Sequence, residues 1–146
     1  CLRVFDINIP QHFYNDEVTR GSLESASVLK LNDEELPIVA KLIGAEGSDE
    51  EIVRAIIREF DLKLVALTLG PQGALMVTPT ESSFAAAEPI DVINTVGAGD
   101  SFTASMIMGF LNNMPLDQIN QPANQLAAFV CTQNGAVPKL PASLTE

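Results

Sequence analysis

The chain has 146 residues, 47% hydrophobic and 18% charged, enough apolar material for one buried core and too little charge for a disordered segment. Eight basic residues against nineteen acidic ones leave a formal net charge of -11, which argues against phosphate-led docking on nucleic acid or on anionic membranes. No apolar run approaches the ~20 residues of a membrane span, no signal peptide is visible, and Cys1 and Cys131 offer neither zinc spacing nor a disulfide framework, so a reduced, cytoplasmic protein is expected.

Taken in order, residues 2–8 read as a strand enriched in Val, Phe and Ile. The first residue, which is not Met, runs straight into that strand, so further residues are expected upstream. A helix is expected over 15–25 and a short strand over 27–31. Asn32 opens a helix reaching Ile43 and stopping at Gly44, with Pro37 bending or separating its first turn. Ser48-Asp49-Glu50-Glu51 has the form of a capping box, followed by Ile52, Ile56 and Phe60 on one helix face. Residues 64–69 form a strand, 70–73 a turn, 74–78 the return strand and 83–87 a further strand. Residues 90–93 are extended and lead into Gly97-Ala98-Gly99-Asp100. The helix behind them runs to about Leu111, with Phe102, Met106 and Phe110 on one face. The last helix covers 120–134, capped by Gly135 and kept from continuing by Pro138 and Pro141. Cys131, in the apolar run 126–131, reads as a small core residue rather than a nucleophile. Strand–helix alternation with apolar strands predicts an α/β fold, a mostly parallel sheet with helices on both faces and an antiparallel edge hairpin, in one domain over 1–146.

The chemistry concentrates where a strand gives way to a helix, in Asn94-Thr95-Val96-Gly97-Ala98-Gly99-Asp100. Two glycines let the backbone turn sharply and approach a ligand. The first amides of the helix lack intrahelical partners and lie at the positive end of its dipole, which suits an anion such as a transferring phosphoryl group. Asp100 stands in the first turn, where a carboxylate can accept the proton of an attacking hydroxyl. The alternative is a tight turn with a dipole-stabilising Asp. No Gly-Lys-Ser/Thr follows, so this is not a Walker A loop.

The segment resembles the Asp-Thr-x-Gly-Ala-Gly-Asp signature of the ribokinase-like (PfkB-type) kinases, departing from it at Asn94. Three further segments match that family in its order. Asn32-Asp33-Glu34-Glu35 resembles its Asn-x-x-Glu motif, and is equally a capping box. Thr68-Leu69-Gly70-Pro71-Gln72-Gly73 resembles its Thr-x-Gly-x-x-Gly nucleotide loop, and is equally a hairpin turn. Asn124-Gln125-Leu126-Ala127-Ala128 and Asn134-Gly135-Ala136 resemble its final helix and the loop beyond, or are ordinary helix contacts. Phe5-Asp6-Ile7-Asn8-Ile9-Pro10 looks like the Phe-Asp-x-Asn-Leu-Arg strand of fructokinase-like members, with Pro10 replacing the Arg. Asp6 and Asn8 share a strand face and are either polar groups at the core edge or cleft residues. His12, the only histidine, is assigned no role.

The resemblance, which covers nearly the whole chain, implies the C-terminal half of such a kinase, without its N-terminal sugar-binding half and lid. It implies ATP-dependent phosphorylation of a sugar hydroxyl, fructose being the best single guess. Asp100 would be the base, and Gly97, Ala98 and Gly99 the anion hole. Thr68, Gly70, Gly73, Asn124, Ala128, Asn134 and Gly135 would contact the nucleotide. Asn32 and Glu35 would hold Mg2+, through water. Asn94 lies where the family places a monovalent-cation carboxylate, and its neutral amide puts potassium activation in doubt. The parent enzyme is expected to be a homodimer and this fragment alone to be poorly active. The alternatives are a nucleoside kinase of the same fold and a non-catalytic nucleotide-binding module.

Overall fold

The structure is a computed structural model describing residues 1–8, 15–135 and 137–144; Pro10, His12 and Ala136 lie outside the described residues. Two compact units divide the chain: Cys1–Gly70 with Leu75–Ser82, and Pro71–Ala74 with Ser83–Glu146. Five strands, β1 (Val4–Asp6), β2 (Val28–Asn32), β3 (Leu64–Thr68), β4 (Gly73–Val77) and β5 (Ser82–Ala86), form one sheet in the order β1-β2-β3-β4-β5. The pairs β1–β2 and β2–β3 are parallel, with Val4 opposite Val28 and Val28 opposite Leu64. Parallel neighbours need long crossovers. These are α1 (Asp16–Ser25) between β1 and β2, and α2 (Leu36–Ile43) with α3 (Asp49–Phe60) between β2 and β3. The 3₁₀ turn Gly70–Gln72 between β3 and β4 is too short for a crossover and makes the antiparallel edge.

In the first unit, alternate residues Leu29 and Leu31, Val65 and Leu67, and Leu75 and Val77 join Leu23, Val39, Val53, Ile56 and Phe60 in one apolar cluster. The intervening Val28, Leu64, Ala66 and Met76 are at most 1% exposed, so both faces of the sheet are covered. Each helix starts on a side-chain oxygen or a proline. Asn15 Oδ1 accepts from the amides of Glu17 and Val18 at the head of α1. Ser48 and Glu51 cap α3 reciprocally, and α3 buries Val53, Ile56, Ile57 and Phe60 while Ile52 is only half-buried. The α2 helix begins at Leu36 rather than at Asn32, because Pro37 fits only the first turn and the residues before it close into a separate turn. It ends at Gly44 (φ 68°), as expected.

In the second unit, α4 (Ala98–Leu111) and α5 (Leu116–Cys131) pack together. Phe102 and Met106 of α4 are buried and Phe110 half-buried. The last helix starts before the expected Asn120. Leu116, Ile119, Ala123 and Val130 are buried on one face, and that packing outweighs the donor missing at Pro122. It ends at Cys131, where the Thr132 hydroxyl donates to Phe129 O at 2.7 Å and the amides of Thr132 and Gln133 turn back to Phe129 and Val130. Gly135 is therefore not its cap. Residues 90–93 form no strand; the amides of Ile93 and Asn94 both donate to Cys131 O, at 2.8 and 3.1 Å. Cys131 is half-buried, and that burial pushes its thiol above the ordinary range, against the thiolate a nucleophile needs. Among the described residues no helix is long and apolar enough to cross a membrane.

Candidate active site

The turn into α4 is organised by Asn94. Its Oδ1 accepts the Val96 amide at 2.9 Å, an Asx turn that lifts the chain into Gly97. Gly97 is the N-cap at φ 84°, a left-handed conformation that strains any residue with a Cβ. The Ala98 amide donates to Thr95 O at 3.3 Å, so Ala98 is committed to the turn and does not join its neighbours as an open donor. The amides of Gly97, Gly99 and Asp100 have no protein acceptor among the described residues. Asp100 is exposed in the first turn of α4. A carboxylate and three open amides thus share the positive end of one helix.

In the first unit, Asn32 and Glu35 satisfy one another. Asn32 Oδ1 accepts from the amides of Glu34 and Glu35, at 3.0 and 2.9 Å, and Glu35 Oε2 accepts the Asn32 amide at 2.9 Å. Glu35 is buried and Asn32 half-buried. This is capping-box geometry closing the turn that leads directly into α2, whose N-cap is Glu35. Asp6 pairs with Lys30 at 3.1 Å across β1–β2, a polar contact within the sheet. Thr68, at the end of β3, donates its hydroxyl to Leu31 O at 3.4 Å. Gly70 (φ 54°) stands in open space.

In the second unit, Gly73 is demanded by packing: a Cβ there would lie 2.0 Å from Ala85 O. Asn124 and Ala128 line one cavity of about 440 Å³, together with Glu88, Ile90, Phe129 and Thr132. Asn134 and Gly135 are exposed beyond α5 and do not line it. Behind the cavity lies a polar cluster that sequence reasoning missed. Asn120, 0% exposed, donates its Nδ2 to Ala74 O at 3.0 Å, Ser83 O at 2.9 Å and Ser83 Oγ at 3.4 Å. The Ser83 hydroxyl donates to Asp117. Nothing local marks Asn120, which lies in a stretch rich in Asn and Gln and whose acceptors at Ala74 and Ser83 lie 46 and 37 residues away. Among the described residues no three His, Cys, Asp or Glu side chains cluster as a metal site.

Residues 2–143 match the pfkB family carbohydrate kinase profile. Over 125 residues the chain is 31% identical to the probable chloroplastic fructokinase-6 of Arabidopsis thaliana, covering 81% of this chain and 32% of that protein. It is 32% identical over 115 residues to the ATP-dependent ribose-1-phosphate kinase of Halopiger xanaduensis, covering 79% and 36%. The chain therefore spans about a third of the length of these curated relatives. An E. coli protein assigned as a ribokinase II and solved with ATP and Mg2+ superposes with a TM-score of 0.79 at 22% identity, over 92% of this chain and 44% of that one. At that identity the likeness carries the fold, which is ribokinase-like α/β. The chain belongs to the pfkB family of carbohydrate kinases.

Proposed function

We propose that this chain is the nucleotide-binding and catalytic part of an ATP-dependent kinase acting on a sugar hydroxyl, with fructose or a related sugar as acceptor. The observation that carries this reading is the exposed Asp100 carboxylate beside the open amides of Gly97, Gly99 and Asp100. As the acceptor oxygen bonds to the γ-phosphorus and the bridging bond to ADP breaks, Asp100 takes the hydroxyl proton. The amides and the dipole of α4 stabilise charge on the phosphoryl oxygens. The adenine lies in the cavity lined by Asn124, Ala128 and Phe129.

Mg2+ bound with the ATP phosphates neutralises their charge and keeps much of its water shell. Asn32 and Glu35, which the family motif assigns to that ion, already accept backbone amides within the turn at 32–35, and no step is routed through them. Asn94 does not fit a monovalent-cation site as well: it is neutral, and its oxygen already accepts from Val96. No step is assigned to such a cation.

Support for the acceptor class comes from relatives named as fructokinase and ribose-1-phosphate kinase at nearly equal identity. Because these 146 residues span only about a third of those relatives, transfer by them alone is expected to be slow. The test is turnover by the full-length enzyme with fructose, ribose 1-phosphate and nucleosides. Asp100→Ala should lower the rate by roughly 10²–10⁴-fold, and near-normal turnover would remove Asp100 from its role. Best turnover on a nucleoside would reassign the acceptor, and ATP binding with no transfer would leave a nucleotide-binding module.

A further inference from the structure

The cavity of the second unit has a polar group whose sense is fixed from behind. Ala74 O and Ser83 O are carbonyl oxygens, so only the Nδ2 side of Asn120 can face them. Its Oδ1 is then turned to the next helical turn, where Asn124 Nδ2 meets it at 3.0 Å and meets Asn120 O at 3.0 Å. An amide has two N–H donors, and both of Asn124's are engaged. Asn124 lines the cavity, so the polar group it has left to offer is a carbonyl acceptor. The half-buried Thr132 has no donor to spare either, since its hydroxyl proton goes to Phe129 O at 2.7 Å while its oxygen accepts from Gln133 Nε2 at 3.0 Å. Glu88, exposed at the rim, adds an acceptor when ionised, while the exposed Gln121, Gln125 and Ser143 can serve either sense.

We infer that Asn120, which does not line the cavity, is a positioning residue that locks the Asn124 amide so that the cavity presents a fixed acceptor and selects a 6-aminopurine nucleotide over a 6-oxopurine one. Adenine carries a donor at its 6-amino group where guanine carries an acceptor oxygen. A half-buried acceptor such as that of Asn124, facing an acceptor, leaves both short of a donor, and discrimination of this kind is large for its size. Ser83 and Asp117 add a weaker third contact to the clamp: the Ser83 hydroxyl donates to Asp117, so its oxygen accepts from Asn120 at 3.4 Å, sharing an N–H already directed at one of the two carbonyls. This inference rests on the reading of the cavity as a base pocket.

The test is equilibrium binding of ATP and of GTP to the full chain, for wild type, Asn124→Ala, Asn120→Ser, Ser83→Ala and the Asn120→Ser/Asn124→Ala double variant. Wild type should prefer ATP. The preference should fall about tenfold in Asn124→Ala and in Asn120→Ser, with no further fall in the double variant. Ser83→Ala, a smaller disturbance of the same clamp, should move it the same way by a smaller factor, which keeps the test open should Asn120→Ser fail to fold. A purely structural Asn120 would weaken both nucleotides equally and leave the ratio unchanged; that result, or an unchanged ratio in Asn124→Ala or Ser83→Ala, overturns the inference alone. Wild type binding neither nucleotide would overturn the base-pocket reading with it.

Discussion

In the turn at residues 32–35, Asn32 Oδ1 and Glu35 Oε2 accept the turn's own backbone amides, three hydrogen bonds closing a capping box. In the turn into α4, one side chain, Asn94, shapes the backbone, and the amides of Gly97, Gly99 and Asp100 are left without a protein acceptor among the described residues. Both segments match family motifs of the same rank in the sequence. The difference is that a turn whose donors and acceptors meet internally gains stability from them, whereas a turn that leaves them open holds unused capacity for an anion.

Variants should separate the two kinds of turn. The largest effect belongs to the open turn. Replacing Asp100 acts on rate and hardly on stability, since an exposed acid in the first turn of a helix is worth only about 0.3–1 kcal/mol. Next, Gly97→Ala forces a Cβ into a left-handed N-cap and should cost about 1–3 kcal/mol in stability, while also displacing the amides that follow. Denaturant unfolding and turnover should both register it. In the closed turn, Asn32→Ala removes the acceptor for two amides and should lower stability by about 1 kcal/mol, with a rate loss well below that of Asp100→Ala. Turnover falling as far as in Asp100→Ala would erase the contrast. The smallest effect is at the other closed box, Ser48/Glu51. Hydrogen bonds from the Ser48 backbone amide and then its hydroxyl hold the Glu51 carboxyl below the usual range, against a small opposing effect of burial. A lowered folded-state value means that this contribution is present at neutral pH and is lost as pH falls through the acid range. Ser48→Ala should flatten that acid limb, as read from unfolding curves between neutral and acid pH.

Much of this was legible because it is local. Gly44 as a C-cap, the Ser48 box and the strand–helix alternation each depend on residues within a few positions of one another. Reading failed where packing overrode a local signal. The expected start at Asn120 missed the first turn of α5, which the buried Leu116 and Ile119 hold in place, whereas Pro37 does set the first turn of the helix expected from Asn32 apart, one of the two outcomes read there. Residues 90–93 look extended in composition but answer to one carbonyl on α5. Motifs singled out the glycine turn and the helix carrying Asn124 and Ala128, and in the structure these two side chains line one cavity. Gly73 is also required by the approach of Ala85, and Asn120 carried no signal, since the acceptors of its amide come from distant strands.

Asp100 is proposed to take a proton and not to bind nucleotide. Asp100→Asn in the full-length enzyme tests it most directly, because the side chain keeps its shape and loses its basicity. Nucleotide affinity and single-turnover rate should be measured on the same preparation. ATP binding should stay within about twofold of wild type while the rate falls by at least ~100-fold. An unchanged rate, or a loss of affinity as large as the loss of rate, would contradict it.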